Sequence, residues 1–213
     1  MVNTFLIGSY EYTAVSLDHS RLLKQAVEAK QVIMIIEFKK NNPNSLKQIG
    51  FQNHPLVKMW FPYLDSLKLY YNTILSRLFL LQKFNIKKLE YYTIPDESEI
   101  EKPWFINFEP LIYSHRARLY QKNPKFYSFL EFPNEYLDIG YIWVGRYDKE
   151  YYLNEIDINS YEDLIHISDP LHERYINPTY CPAIKKDGKI CGHMIKTKKE
   201  TYCGIHKKII KIS

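Results

Sequence analysis

Residues 16–38, SLDHSRLLKQAVEAKQVIMIIEF, contain no Pro or Gly, and Leu22, Ala26, Ala29, Ile33 and Ile36 recur there at steps of three and four. That spacing lays them on one stripe of an α-helix. Arg21, Lys24, Gln25, Glu28 and Gln31 repeat on a second stripe, which carries one carboxylate among cations and amides. Asp18 or Ser16 supplies the N-cap, and Asn41, Asn42 and Pro43 end the run. Two readings of the polar stripe stay open. Glu28 stands four residues after Lys24, the weaker order for a helical ion pair, and an exposed Glu in such a pair is ordinary surface. The other reading is a carboxylate with a task.

Before this helix, residues 2–15 mix Tyr, Phe, Ile and Val without a clear period, which predicts an extended lead-in lying against the body. After it, residues 39–53 read as a loop from their Asn, Pro and Gly. His54 and Pro55 open a second helical region, with Asn53 or His54 as cap and Pro55 at the first helical position. Pro62 kinks or splits that region, because its ring clashes with the preceding turn. Tyr63, Leu64, Leu67, Tyr71, Ile74, Leu78 and Leu81 then mark a long helix reaching Phe84, the expected main core partner of the first. Residues 85–108 are irregular. Their acidic cluster, Asp96, Glu97, Glu99 and Glu101, reads as a solvated loop, and Trp104 and Phe105 anchor its return. Residues 109–122 predict a third helix, ended before Pro124. An aromatic segment at 125–132 and an extended piece at 141–145 close the body. The expected fold is mainly α: a compact bundle of about three long helices.

At 213 residues and 46% apolar content, the chain can bury one ordinary core and carry a small appendage. No apolar run approaches the ~20 residues of a membrane span, and the start lacks the pattern of a signal peptide. No membrane contact is expected. The cysteines, Cys181, Cys191 and Cys203, number three and fall near the C-terminus. An odd count without a secretion signal argues for a reducing, intracellular setting, in cytoplasm or nucleus.

The net charge of +5 is unevenly spread. Residues 1–146 carry +4, residues 147–177 carry −6, and residues 178–213 carry +7. This divides the chain into a body, an acidic connector and a strongly basic tail, and a polyanion such as nucleic acid is the natural partner of that tail. Cys181, Cys191, Cys203 and His206 offer three thiolates and an imidazole, with Gly188, Gly192 and Gly204 for the turns between them. Such a set suits structural, tetrahedral Zn²⁺, and a polar segment this short would need the metal to fold. His193 is a competing ligand, and three free thiols are the alternative.

Several segments occur together and in order: 17–28 (LDHSRLLKQAVE), Asn53-His54-Pro55 followed by Trp60 and Tyr63, the helix ending at 84–86 (FNI), and 114–119 (SHRARL) followed by 123–127 (NPKFY). In this the chain resembles the pyrimidine-dimer DNA glycosylase family of the phage endonuclease V type, nearest its bacterial relatives, over roughly residues 1–145. The resemblance implies a compact α-helical glycosylase-like domain acting on damaged double-stranded DNA, with no small-molecule cofactor. It implies an N-terminal amine that attacks C1′ of a flipped nucleotide to form a Schiff base, with abasic-site lyase activity following. Carried over, Glu28 matches the catalytic Glu, and the amine belongs to Val2 once Met1 is removed. The phage members have Arg after the nucleophilic residue, where Asn3 stands here, and Arg one before and three after the Glu, where Val27 and Gln31 stand.

The chemistry suits the residue types. An α-amine has a pKa near 7.7–8.0, so much of it is unprotonated at neutral pH, and a neighbouring carboxylate can move protons and stabilise an imine cation. Arg21, Lys24, Gln25 and Gln31 are candidate DNA contacts on the first helix. His54 is either a helix cap or a site residue. His115, Arg116 and Arg118 either face the phosphate backbone or form a helix-surface cluster. Tyr127, with Phe126, either stacks near an extruded base or belongs to the core. Two other functions compete: a catalytically silent nucleic-acid-binding protein of the same fold, and a zinc-mediated adaptor.

Overall fold

The computed structural model describes residues 3–81, 89–168 and Ala183. The chain divides into two compact units, Met1–Ser168 and Asp169–Ser213, and all the described secondary structure lies in the first. Val2 lies outside the described residues, as do the four expected zinc ligands, Cys181, Cys191, Cys203 and His206.

Six α-helices follow in order: α1 (Tyr10–Ser16), α2 (His19–Asn41), α3 (Pro55–Trp60), α4 (Leu64–Leu81), α5 (Glu109–Lys122) and α6 (Tyr161–Ile167). A single wide π turn, Tyr151–Glu155, makes a seventh helical piece. The described residues are thus mainly α, with no strand, but they hold seven helices where about three were expected. The three long ones are those the periodicity marks. The others are five to seven residues each, too short to display a period.

Caps and prolines set the boundaries. Asp18 caps α2 by accepting the Arg21 amide at 3.1 Å, and Asn42 closes it just before Pro43. His54 caps α3 through Nδ1, which accepts the Leu56 amide at 3.1 Å, with Pro55 in the first turn where its missing N–H costs nothing. Pro62 does split the region, since α3 ends at Trp60 and α4 starts at Leu64. The pairing of α2 with α4 is the broadest helix contact. Leu22, Ala26, Ala29, Ile33 and Ile36 on one side and Leu67, Tyr71, Ile74 and Leu78 on the other are all buried. Each large side chain removed from water there contributes about 1.5–3 kcal/mol.

The lead-in has no regular structure over residues 3–6, bends at 7–9 and then coils into α1. Asn3, Thr4, Phe5, Leu6 and Ile7 are all buried, so this segment runs through the core and not along its surface. At the other end, part of the stretch read as an acidic connector packs with the body. Tyr152, Leu164 and Ile167 are buried, Tyr152 lies 5.9 Å from the Trp104 ring, and Arg146 donates to the Ser168 carbonyl at 2.7 Å. The first compact unit runs to Ser168. Tyr152 is the residue of this stretch that covers Trp104 and Phe108, while Leu153 and Ile158 are exposed.

Gly145 lies against α3 so closely that an added Cβ would stand 2.0 Å from the Pro55 carbonyl oxygen and 2.7 Å from the Met59 nitrogen. Both are backbone atoms and cannot step aside. Gly145→Ala should cost about 2 kcal/mol or more and lower the melting temperature by several degrees. Gly50→Ala, with nothing within 4 Å of the new methyl, should melt like the parent. An unchanged melt for Gly145→Ala would contradict this packing.

Candidate active site

Glu28 lies on the polar stripe of α2, yet it is only 6% exposed. It is therefore not the solvated surface residue of the plainer reading. Its Oε2 accepts the backbone amide of Asn3 at 3.1 Å, and Lys24 Nζ approaches its Oε1 at 3.6 Å. Gln25 Nε2 donates to the same Oε2 across 3.4 Å. Burial raises the Glu28 pKa above the usual carboxylate value, and Lys24 and the Asn3 amide pull it back only in part.

The segment that brings Asn3 to Glu28 is held by side chains from five helices. A buried chain of this kind cannot leave its amides unpaired. The Phe5 amide donates to Gln25 Oε1 at 2.7 Å, the Leu6 amide to His115 Nδ1 at 2.9 Å, and the Ile7 amide to Thr13 Oγ1 at 3.2 Å. Trp60 Nε1 donates to Thr4 Oγ1 at 2.9 Å, Tyr70 Oη donates to the Phe5 carbonyl at 2.9 Å, and Arg116 donates to the Ile7 carbonyl at 2.8 and 3.0 Å.

Several expected DNA contacts are spent on this framework. Gln25 is fully buried and serves the Phe5 amide, so it does not face a ligand from the helix surface. His115 is fully buried, packed 4.7 Å from the Trp143 ring, and burial lowers its pKa to about 3. It is neutral at physiological pH and does not reach a phosphate. Arg116 is bound to backbone carbonyls of Ile7 and Glu131, and Arg118, only 3% exposed, donates to Gln121. Tyr127 is buried and donates to Asp18 Oδ2 at 2.7 Å, while its oxygen accepts the Asp18 amide at 3.0 Å. It fastens the start of α2 and is not available as a stacking platform. His54 is a helix cap, as one of its two readings held.

What remains around Glu28 is cationic. Lys24 is exposed beside it, and Gln31 is exposed one turn further along α2. Arg21 is partly exposed and tied to Asp18 at 2.7 Å. Lys122, at the end of α5, escaped sequence reasoning. Its pKa is lowered, by loss of surrounding water first and then by Arg21, Lys24 and Arg118, with Glu28 opposing. Its spacing of four from Arg118 on a helix was the available signal. Asn3 was missed as well. Its side-chain oxygen is buried without a hydrogen-bond partner, and nothing in sequence announces that. Among the described residues, no cluster of His, Cys, Asp and Glu could hold a metal, and no helix is long and apolar enough to cross a membrane.

Residues 2–85 match the family model described as pyrimidine dimer DNA glycosylase. That match contains the lead-in and α1–α4, and hence Asn3 and Glu28. A protein of Pyropia yezoensis, named uncharacterized protein ycf54, is 32% identical over 75 residues, or 35% of this chain. The alignment spans 63% of that relative's length. No solved structure matches. The N-terminal part of the chain is thus similar to a family of glycosylases, and its fold is mainly helical.

The electrostatics yield two signed expectations. Glu28 has a raised folded pKa, so its buried charge opposes folding above that pKa and the opposition disappears as pH falls toward the unfolded value. Glu28→Gln should therefore melt at or above the parent temperature at pH 7, with a margin that shrinks toward pH 4; a Glu28→Gln protein less stable at pH 7 would contradict it. His115 has a lowered folded pKa, so its contribution is complete above about 6.5 and is lost as pH falls toward about 3. His115→Gln should reduce the acid loss of stability by up to about 1.4 kcal/mol per pH unit, read from denaturation midpoints between pH 6.5 and 4. Equal slopes for both proteins would rule this out.

Proposed function

We propose that this protein is a DNA-repair N-glycosylase with abasic-site lyase activity, working through the α-amine of Val2 and the carboxylate of Glu28. The observation that carries the reading is the 3.1 Å bond from the Asn3 amide to Glu28 Oε2. One residue spans at most about 3.8 Å. The amine of a chain beginning at Val2 is then within one residue's reach of that carboxylate. The similarity to the pyrimidine dimer DNA glycosylase model over residues 2–85 supports the same reading.

In this account the unprotonated amine attacks C1′ of a flipped nucleotide. The C1′–N bond to the base breaks and the base leaves with the proton the amine gives up; the ring oxygen takes a proton from the Glu28 carboxyl as its bond to C1′ breaks, giving an iminium cation between the chain and the opened sugar. Glu28 stabilises that cation and carries the C2′ proton away as the 3′-phosphate leaves. A carboxyl with a raised pKa suits this task, since proton transfer is most effective when the group's pKa lies near the working pH. Flipping costs a few kcal/mol and is cheapest at damaged sites. Arg21, Lys24 and Lys122 supply positive charge for the phosphates nearby. Damaged double-stranded DNA is the proposed substrate.

A second reading is a silent nucleic-acid-binding protein. It is favoured by the number of cations spent internally: Arg116 on carbonyls, Arg118 on Gln121. For the tail we propose one structural Zn²⁺ held by Cys181, Cys191, Cys203 and His206, a donor set suited to tetrahedral zinc.

Borohydride should trap the protein covalently on abasic or dimer-containing DNA. Glu28→Gln should reduce strand cleavage by about 10²-fold or more while sparing binding, and blocking the α-amine should abolish trapping. A wild-type protein that binds these substrates salt-dependently but traps on none would leave the binding reading and end the enzymatic one. Metal analysis should find one zinc per chain, lost in Cys203→Ser; a metal-free full-length protein would contradict the tail assignment.

A further inference from the structure

Gln25 joins the buried segment to Glu28 by both ends of its amide. Its Oε1 accepts from the Phe5 amide at 2.7 Å and from Tyr70 Oη at 2.9 Å, which fills both lone pairs and fixes which end is oxygen. Its Nε2, at the opposite end, donates to Glu28 Oε2 across 3.4 Å. That same oxygen receives the Asn3 amide.

Two periodicities meet here. Alternate residues of an extended segment present their amides to the same side, so Asn3 and Phe5 face α2 while Leu6 faces His115 on α5. On α2, positions three apart are surface neighbours about 5–6 Å between Cβ atoms, and Gln25 and Glu28 stand three apart. The helix therefore offers two linked acceptors at the spacing of two strand amides. Tyr70, buried on α4, shares its proton between Gln25 and the Phe5 carbonyl and so ties the amide to the chain it reads.

We propose that Gln25 is a positioning residue: by gripping Phe5 and orienting the Glu28 carboxylate, it sets how deeply the start of the chain meets that carboxylate. This rests on the reading of Glu28 as the acid of an amine-dependent reaction. A Gln25 that met only the Phe5 amide and stood apart from Glu28 would leave the ionisation of Glu28 alone when its far end became a carboxyl.

Gln25→Glu separates the two. The new side chain keeps an acceptor for the Phe5 amide and for Tyr70, but places an acceptor where Glu28 Oε2 now has a donor. Two carboxyls at that distance hold one proton between them and titrate as a pair. The charged and titratable groups facing Glu28 from the surrounding helices are Lys24 on α2, Tyr70 on α4 and Lys122 on α5, and all are unchanged in the variant.

The experiment follows ¹³C carboxyl titration of Glu28, assigned by its absence in Glu28→Gln, together with the pH profile of borohydride trapping. In Gln25→Glu the Glu28 titration and the acid limb of trapping should both move up by about one pH unit or more. A titration and a limb that stay in place, with only the amplitude reduced, would overturn the inference. If even the wild type fails to trap while the carboxyl titration moves, the positioning stands and the amine chemistry falls. Should Gln25→Glu not fold, hydrogen exchange in the wild type decides: the Phe5 amide should be protected at least 100-fold, and an unprotected Phe5 amide would overturn the grip.

Discussion

Five buried residues near the start of the chain, Asn3 to Ile7, run through a helical core without regular structure of their own and with no strand beside them among the described residues. An unpaired buried amide costs about 1–3 kcal/mol, and a sheet would ordinarily prevent that cost with a ladder. Here side chains take the ladder's place. Glu28 and Gln25 from α2, Thr13 from α1 and His115 from α5 accept the amides of Asn3, Phe5, Leu6 and Ile7. Trp60 from α3 and Tyr70 from α4 complete the set. Each of the first five helices is thus bound to the segment, and their mutual arrangement is fixed by it.

This constraint accounts for polar residues that look out of place in the core. His115 is buried because its Nδ1 is the acceptor the Leu6 amide has, and the price is an imidazole held neutral. Gln25 is buried for the same reason. Glu28 differs, since a carboxylate is a poor choice for a purely structural acceptor. A glutamine would accept the Asn3 amide without carrying a desolvated charge. Glu28 instead carries a charge that burial opposes, and the proposed function gives that carboxyl a use, a proton to move.

The long helices were legible in sequence because their signals reinforce one another. In α2 a threefold and fourfold apolar spacing meets the Asp18 cap and Pro43, and in α5 the run from Glu109 stops where Pro124 requires. Helix α1 was not legible, since seven residues following a β-like lead-in show no period. The polar stripe of α2 was read as one face although two of its five members, Gln25 and Glu28, point inward. Polarity alone cannot separate a residue that meets water from one that meets a buried amide. The donors that decide it, Asn3 and Phe5, are 25 and 20 positions away. Tyr127 and His115 were ambiguous for the same reason, their partners Asp18 and Leu6 each lying 109 positions distant. Glu28 was singled out through the order of segments around it, and its burial supplied what spacing did not.

The central claim of the proposal is that helix side chains gripping the backbone of residues 3–7 bring the chain's α-amine to Glu28. ¹⁵N titration of that amine in the mature protein, in wild type and in Glu28→Gln, tests it most directly. A carboxylate within a few ångströms stabilises the ammonium form, so the amine pKa should fall by at least about half a unit when Glu28 loses its charge. Identical titration curves for the two proteins would place the amine elsewhere and contradict the account.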